Sequence, residues 1–282
     1  MNRKYVNRML LCTFTAFIIG CGSCAHTETQ LSIGEKLPRK SFMLVKNSMV
    51  LEGCVLPNDK GEKEECNKAN WTATSSGTVV LHSEITPDVS YVLTAGHSCE
   101  ERKFATRIID GVKITKIKTD YEVVSYYGRK HQAVVVAIDR RWDLCLLQVK
   151  GLSRNVKTVP IAKSGPKRGV KYYNLAAPRG LFGREMVLTF EGYYSGNFMS
   201  GYDTYTITTK PGSSGSAIYN DKGEIVGVIF AGFPAVENVG LSPVFASIPI
   251  FVSKAYAQGE LNLWKMYNMN SDTTETTTEV PK

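Results

Sequence analysis

Beyond its first 20 residues the chain has no apolar run long enough to cross a bilayer, which excludes a protein built from membrane-spanning helices. It also lacks a basic helix and any alternation of aromatic and basic residues. Lys and Arg outnumber Asp and Glu by 34 to 26, but they are scattered, with small groups at 102–103, 113–118 and 139–141. That describes a mildly basic, solvated surface, and no nucleic-acid partner is expected. Metal chemistry is short of ligands. There are 4 His, none at ligand spacing from a Cys, and no CxxC pair repeats, so neither a metal nor a cofactor is expected. No internal repeat is visible.

What is present begins with an address. "MNRKYVNR" is positively charged, and "MLLCTFTAFII", residues 9–19, is an apolar stretch too short to span comfortably. It ends in "IIGC", residues 18–21, which resembles the bacterial lipobox. The resemblance implies a signal peptide over 1–20, cleavage after Gly20 and lipid on Cys21. The chain is then exported and membrane-anchored, facing the periplasm or the exterior; an ordinary secretory signal and a soluble secreted chain is the alternative. Residues 21–40 read as a polar tether, and 271–282, "SDTTETTTEVPK", as a disordered end to a C-terminal segment 259–282.

Between these ends the chain is a series of short runs rich in Val, Ile, Tyr and Thr, bounded by turn residues: "GTVVLHSEI", "YVLTAGH", "QAVVVAID", "DLCLLQVKG", "EIVGVIFAGF". That texture predicts an all-β sandwich or barrel rather than alternating strands and helices. A crossing near 151–170 divides it into two halves of about a hundred residues each, a common size for a compact domain. "SIPIFVSKAYAQGELNLW", from 247, repeats apolar residues at three and four and predicts a helix.

Seven cysteines suit an oxidising compartment. Cys12 lies in the signal, Cys21 at the lipobox, and Cys24 in the tether; the CxxC form of 21–24 straddles the processing site. The other four permit two disulfides in three connectivities. Cys54 and Cys66 flank a polar loop and form the natural local pair, leaving Cys99 with Cys145.

The chemistry is concentrated in three places. "PGSSGSAIY", 211–219, holds Ser213, Ser214 and Ser216 in a small-residue turn. A serine hydroxyl is a weak nucleophile unless a base, an orienting group and oxyanion donors surround it. Of the histidines, His26 is in the tether, and His82 and His131 accompany strands in packing roles. His97 closes "YVLTAGH" beside small Ala95 and Gly96 and suits a cleft. Of the intervening acids, Asp110, Asp120, Asp139 and Asp143, the last opens the apolar run "DLCLLQV" and needs partners there, whereas Asp139 precedes two arginines and reads as a solvated turn residue.

"LTAGH", "DLCLL" and "GSSGSAI", in that order, resemble the motifs of the trypsin-like, chymotrypsin-fold serine peptidases. The stretch "QAVVVAIDRRWDLCLLQV" is nearest in pattern to bacterial exported HtrA-type peptidase domains, here without room for a PDZ domain after 260. The resemblance spans roughly 41–255. It implies two six-stranded antiparallel β-barrels with a C-terminal helix, the first over 41–155 carrying His97 and Asp143, the second over 156–258 carrying Ser214. It implies a serine endopeptidase acting on polypeptides, with Ser214 as nucleophile, His97 as base and Asp143 orienting it. The N–H groups of Gly212 and Ser214 form the oxyanion hole. Thr208, Phe230, Ala231 and Gly232 surround the specificity pocket, the strand 225–232 pairing with substrate. Two departures matter. Ser213 replaces the Asp that zymogens of the family pair with a new N-terminus, so no such activation is expected. Thr208 replaces the Asp that selects Arg or Lys, so no strong preference for these is expected. The alternative is an inactive member of the fold serving as a surface binding lipoprotein.

Overall fold

The computed structural model describes residues 36–55, 65–100, 106–109, 112–152, 154–199, 201–233 and 236–272. The signal segment, Cys21, Cys24, His26, Asp110 and the tail beyond 272 lie outside the described residues.

Seven strands form the first sheet: β1 (Phe42–Val55), β2 (Glu65–His82), β3 (Val89–Ala95), β4 (Arg107–Ile109), β5 (Val112–Ser125), β6 (Lys130–Asp139) and β7 (Leu144–Lys150). They run in the order β1-β2-β3-β7-β6-β5-β4, and β1 also pairs with β5. That extra pairing closes a barrel of six antiparallel strands, with β4 appended outside it. The second set is β8 (Lys171–Ala176), β9 (Leu188–Phe198), β10 (Tyr202–Tyr205), β11 (Ala217–Tyr219), β12 (Ile225–Val228), β13 (Ala231–Gly232) and β14 (Gly240–Pro243), in the order β12-β11-β8-β9-β10-β14-β13. Its end strands β12 and β13 are two pieces of one run, parted by Ile229 and Phe230. One end pairs with β11 and the other with β14, so this sheet also curls back on itself. The fold is that of a chymotrypsin-like serine peptidase.

The alternation of side chains along each strand explains the layering. On β1, Met43 and Val45 join Val79, Val92, Val123, Cys145, Leu147 and Val149 inside the first barrel. Their neighbours Phe42 and Leu44 face the other way and meet Leu175, Ala217, Tyr219, Ile225 and Val228 from the second sheet. On β11, Ile218 turns inward onto Tyr172, Tyr205, Ile207 and Val226. Strands of the middle layer are buried on both faces, which is why "YVLTA" and "LCLL" read as unbroken apolar runs.

The helix α1 (Ser247–Asp272) starts where the sequence predicts and runs eight residues past "NLW". It lies mainly against β6 and β7 of the first barrel. Ile248, Phe251, Val252 and Ala255 enter the shared core. Glu260 pins it there: its carboxylate accepts from the Tyr91 hydroxyl at 2.7 Å and from the Glu84 N–H at 2.9 Å. The boundary expected at 258 therefore falls inside a helix rather than at a barrel edge. Both expected disulfides form: Cys54 bonds Cys66 locally and Cys99 bonds Cys145. Among the described residues no helix is long and apolar enough to cross a membrane.

Candidate active site

Three chain turns converge on one cleft. The first follows β3, where a short 3-10 turn, Gly96–Ser98, carries His97. The second precedes β7, where Asp143 adopts left-handed backbone with φ 51°, a conformation that Asp tolerates better than most residues. The Gly96 N–H donates to the Asp143 carbonyl at 2.8 Å and locks the two turns together. The Asp143 carboxylate is then filled by one residue: Oδ1 accepts from the His97 N–H at 2.6 Å, and Oδ2 lies 2.7 Å from His97 Nδ1. A carboxylate there fixes the proton on Nδ1 and turns the lone pair of Nε2 into the cleft. The imidazole stays 49% exposed and the carboxylate 24%. Cys99 and Cys145, each two residues beyond a member of this pair, are bonded to each other, so the disulfide braces both turns from below.

The third turn holds the serines. Ser213 N–H donates to the Lys210 carbonyl at 2.8 Å and Ser216 N–H to the Ser213 carbonyl at 3.0 Å, giving two successive tight turns. Gly212 at φ 97° and Gly215 at φ 83° supply the left-handed positions. A Cβ on Gly212 would sit 2.6 Å from the Ala177 carbonyl oxygen, and one on Gly215 would collide with the Ser76 carbonyl oxygen and the Thr94 hydroxyl. Neither position admits a side chain without moving backbone.

Ser76, on β2 of the first barrel, ties this turn down. Its N–H donates to the Ser214 carbonyl at 2.7 Å, and its hydroxyl donates to the Gly212 carbonyl at 2.9 Å while accepting from the Ala177 N–H at 3.0 Å. With those carbonyls engaged, the N–H groups of Gly212 and Ser214 donate to no partner among the described residues. Two free N–H groups beside a serine hydroxyl can receive a negative oxygen. Nothing in "ATSSGTVV" announces this; Ser76 reads there as an ordinary strand residue.

Ser214 is half-buried, and its hydroxyl donates to the Phe230 carbonyl at a long 3.4 Å. It shares a cleft of about 240 Å³ with His97, Ser98, Gly212, Asn47 and Ala73–Ser75. On the other side of Ser214 lies a pocket of about 400 Å³ walled by Ile229, Ala231, Gly232 and Phe233, with Thr209, Asn238, Lys210 and Glu237 as polar members. Ala231 and Gly232 are where the sequence puts them. Thr208 and Phe230 do not line the pocket: the Thr208 hydroxyl donates to Asn238 Oδ1 at 2.7 Å, behind that lining residue, and the Phe230 ring packs on Tyr202 with centroids 5.2 Å apart. Its neighbour Thr209 faces the pocket instead, because successive residues of an extended chain point to opposite sides. Lys210 and Glu237 approach to 3.9 Å at the rim.

The remaining candidates take structural places. Asp139 Oδ1 accepts from the N–H groups of Arg141 and Trp142, and Asp120 pairs with Lys118 at 2.8 Å. His82 lies 2.9 Å from both the Ser90 hydroxyl and the Val156 carbonyl. Ser213 is buried, and Ser216 accepts from Asn174 Nδ2 at 2.9 Å in the core. Among the described residues no cluster of His, Cys, Asp and Glu could hold a metal.

With this geometry in hand, residues 75–228 match the family model of the trypsin-like peptidase domain. That is more than half of the chain, and the protein belongs to the trypsin-like serine peptidase family. Among solved structures, it resembles the crystal structure of a serine endoprotease from Yersinia pestis at 18% identity and a TM-score of 0.56, over 81% of this chain and 68% of that one. At that identity the likeness is one of fold. No curated protein matches.

Proposed function

We propose that the chain is an exported serine endopeptidase that cleaves peptide bonds through His97, Asp143 and Ser214. The observation that carries this reading is the 2.7 Å contact of His97 Nδ1 with Asp143 in the cleft that also holds Ser214. Rotation of the Ser214 hydroxyl away from the Phe230 carbonyl brings its proton toward Nε2 of His97. As Oγ bonds to the substrate carbonyl carbon, Nε2 takes the proton, and the carbonyl oxygen becomes an oxyanion between the N–H groups of Gly212 and Ser214. Collapse breaks the C–N bond, the imidazolium gives its proton to the leaving amine, and an acyl-Ser214 remains. Water, deprotonated by Nε2, then attacks the ester and releases Ser214. Asp143 keeps its charge throughout and stabilises the imidazolium.

Ser76 supports a standing oxyanion hole. It does the work that the Asp before the serine does in zymogens of the family, so cutting the N-terminus is not required. The residue before the scissile bond enters the pocket beside Gly232. Thr209 and Asn238 give it neutral polar walls, and Lys210 and Glu237 cancel at the rim, which favours neither Arg nor Lys. The two disulfides fit an oxidising compartment outside the cytoplasm, with Cys21 as the lipid anchor of a chain cleaved after residue 20.

Reaction with a fluorophosphonate tests the assignment. The folded chain is expected to be labelled on Ser214, and Ser214→Ala and His97→Ala to abolish labelling. A folded chain that stays unlabelled would be the inactive binding lipoprotein instead.

A further inference from the structure

We propose that the solvent-facing side of α1, led by Ile250, Leu261 and Trp264, lies on an anionic phospholipid surface. The proposal rests on the exported, lipid-anchored reading above, which puts a bilayer beside the fold, and it adds a contact that the anchor alone does not make.

Helical geometry sets the face. At about 100° per residue, Ile250, Ala257, Leu261 and Trp264 fall within about 60° of one another and extend about 21 Å along the axis. On the opposite side Phe251, Val252, Ala255 and Leu263 are buried in the shared core. A helix packed on one side is expected to be polar on the other. Here the outer side is apolar over about four turns, and Ile250 is 57% exposed, Leu261 44% and Trp264 56%. Single exposed apolar residues need no explanation, but a line of them on one face marks a contact surface.

Charge indicates what covers it. From Ser247 to Lys265 the helix has one acid, Glu260, and two cations, Lys254 and Lys265. Glu260 is turned onto the barrel, where its carboxylate accepts from the Tyr91 hydroxyl and from the N–H groups of Glu84 and Ile85. Over this stretch the exposed side therefore carries the two lysines and no acid. The adjoining loop adds exposed Ile85, with Glu84 and Arg154 of opposite charge beside it. Trp and aliphatic side chains flanked by lysines suit a helix lying in a headgroup layer: the apolar line enters the acyl boundary and the lysine stems reach back to the phosphates. Pairing this face with a second copy would instead bring four lysines together with no acid on either helix to meet them.

Covalent reach makes a modest face sufficient. Fully extended, the chain from Cys21 to Leu37 spans at most about 55 Å. An anchored fold thus meets the bilayer at an effective concentration on the order of millimolar. Ile250, Leu261, Trp264 and the two lysines line neither the cleft at Ser214 nor, Lys254 and Lys265 included, the pocket beside Gly232, so the contact uses no residue of the reacting site.

The test uses the processed chain, residues 21–282, carrying Cys21→Ser so that no acyl group contributes, with phosphatidylcholine–phosphatidylglycerol vesicles in excess. Phosphatidylcholine brominated on its acyl chains quenches an indole it touches. It is expected to quench most of the Trp264 emission, read as the difference from the Trp264→Phe chain. Ile250→Ser with Leu261→Ser is expected to weaken sedimentation with these vesicles about tenfold, with the fold unchanged by circular dichroism. Lys254→Gln with Lys265→Gln is expected to weaken it about tenfold as well, and to change nothing on phosphatidylcholine alone. Failure of the anchoring reading shows separately, as Cys21 without acyl chains in the mass of the native chain. Unquenched Trp264 at saturating lipid, or equal binding by the serine variant, overturns the proposal. Dimers at sedimentation equilibrium that Leu261→Ser dissolves, with Trp264 unquenched by lipid, would also overturn it and assign the face to a second copy.

Discussion

The two barrels build the cleft by different means. The first contributes a pair of side chains, His97 and Asp143, that hold each other through two short hydrogen bonds, with a disulfide beneath them. The second contributes a backbone shape, two glycines with positive φ and two serines between them, with the Gly212 and Ser214 carbonyls anchored by Ser76 of the first barrel. The first half is set by side-chain chemistry and the second by conformation plus a strap. Side-chain pairs survive small movements, whereas a turn that aims two N–H groups at one point does not. On the proposed mechanism the same first barrel supplies the base and holds the oxyanion hole in shape.

The largest expected effect comes from either half of the chemistry itself. Ser214→Ala or His97→Ala should each lower kcat by about 10⁴- to 10⁶-fold against a peptide substrate, with the fold unchanged by circular dichroism. Next is the brace. Replacing Cys99 and Cys145 by Ser opens a loop with a sequence separation of 46. It should cost about 4 kcal/mol in chemical denaturation and lower kcat as the His97 and Asp143 turns loosen. Replacing Cys54 and Cys66 opens the shorter separation of 12 and should cost about 3 kcal/mol, with a smaller loss of kcat.

The strap sharpens the comparison. Ser76→Ala removes the hydroxyl that holds the Gly212 carbonyl and should lower kcat about tenfold with KM little changed, because the oxyanion forms after binding. A loss confined to KM would place Ser76 in substrate binding instead. Smallest are the other serines of the turn. Ser216→Ala leaves Asn174 Nδ2 its second acceptor, the Ala217 carbonyl at 2.8 Å, and should cost about 1 kcal/mol of stability without changing kcat. Ser213→Ala removes only a 3.3 Å acceptor for the Lys210 N–H and should be milder still on both measures.

Legibility in the sequence followed locality. His97, Asp143 and Ser214 sit in short motifs whose neighbours explain them, and the strand runs show because two buried faces leave unbroken apolar stretches. The strap escaped because its evidence is spread over Ser76, Ala177 and Gly212, far apart in the chain. Thr209 rather than Thr208 faces the pocket because a one-residue shift in an extended segment reverses the side chain's direction. The outer half of β2 is less legible: Lys68, Asn70 and Thr72 alternate with Ala69, Trp71 and Ala73, but both faces are exposed from 65 to 72, so no buried face marks it and its ladder with β1 makes it a strand.

The account holds that His97 and Ser214, brought from different barrels, act as one unit. Steady-state kinetics of His97→Ala, Ser214→Ala and the double variant on one peptide substrate test this most directly. The double variant is predicted to be no slower than the slower single variant, because either loss already disables the shared step. If the two losses multiply, the residues act independently and the two halves do not form one catalytic site.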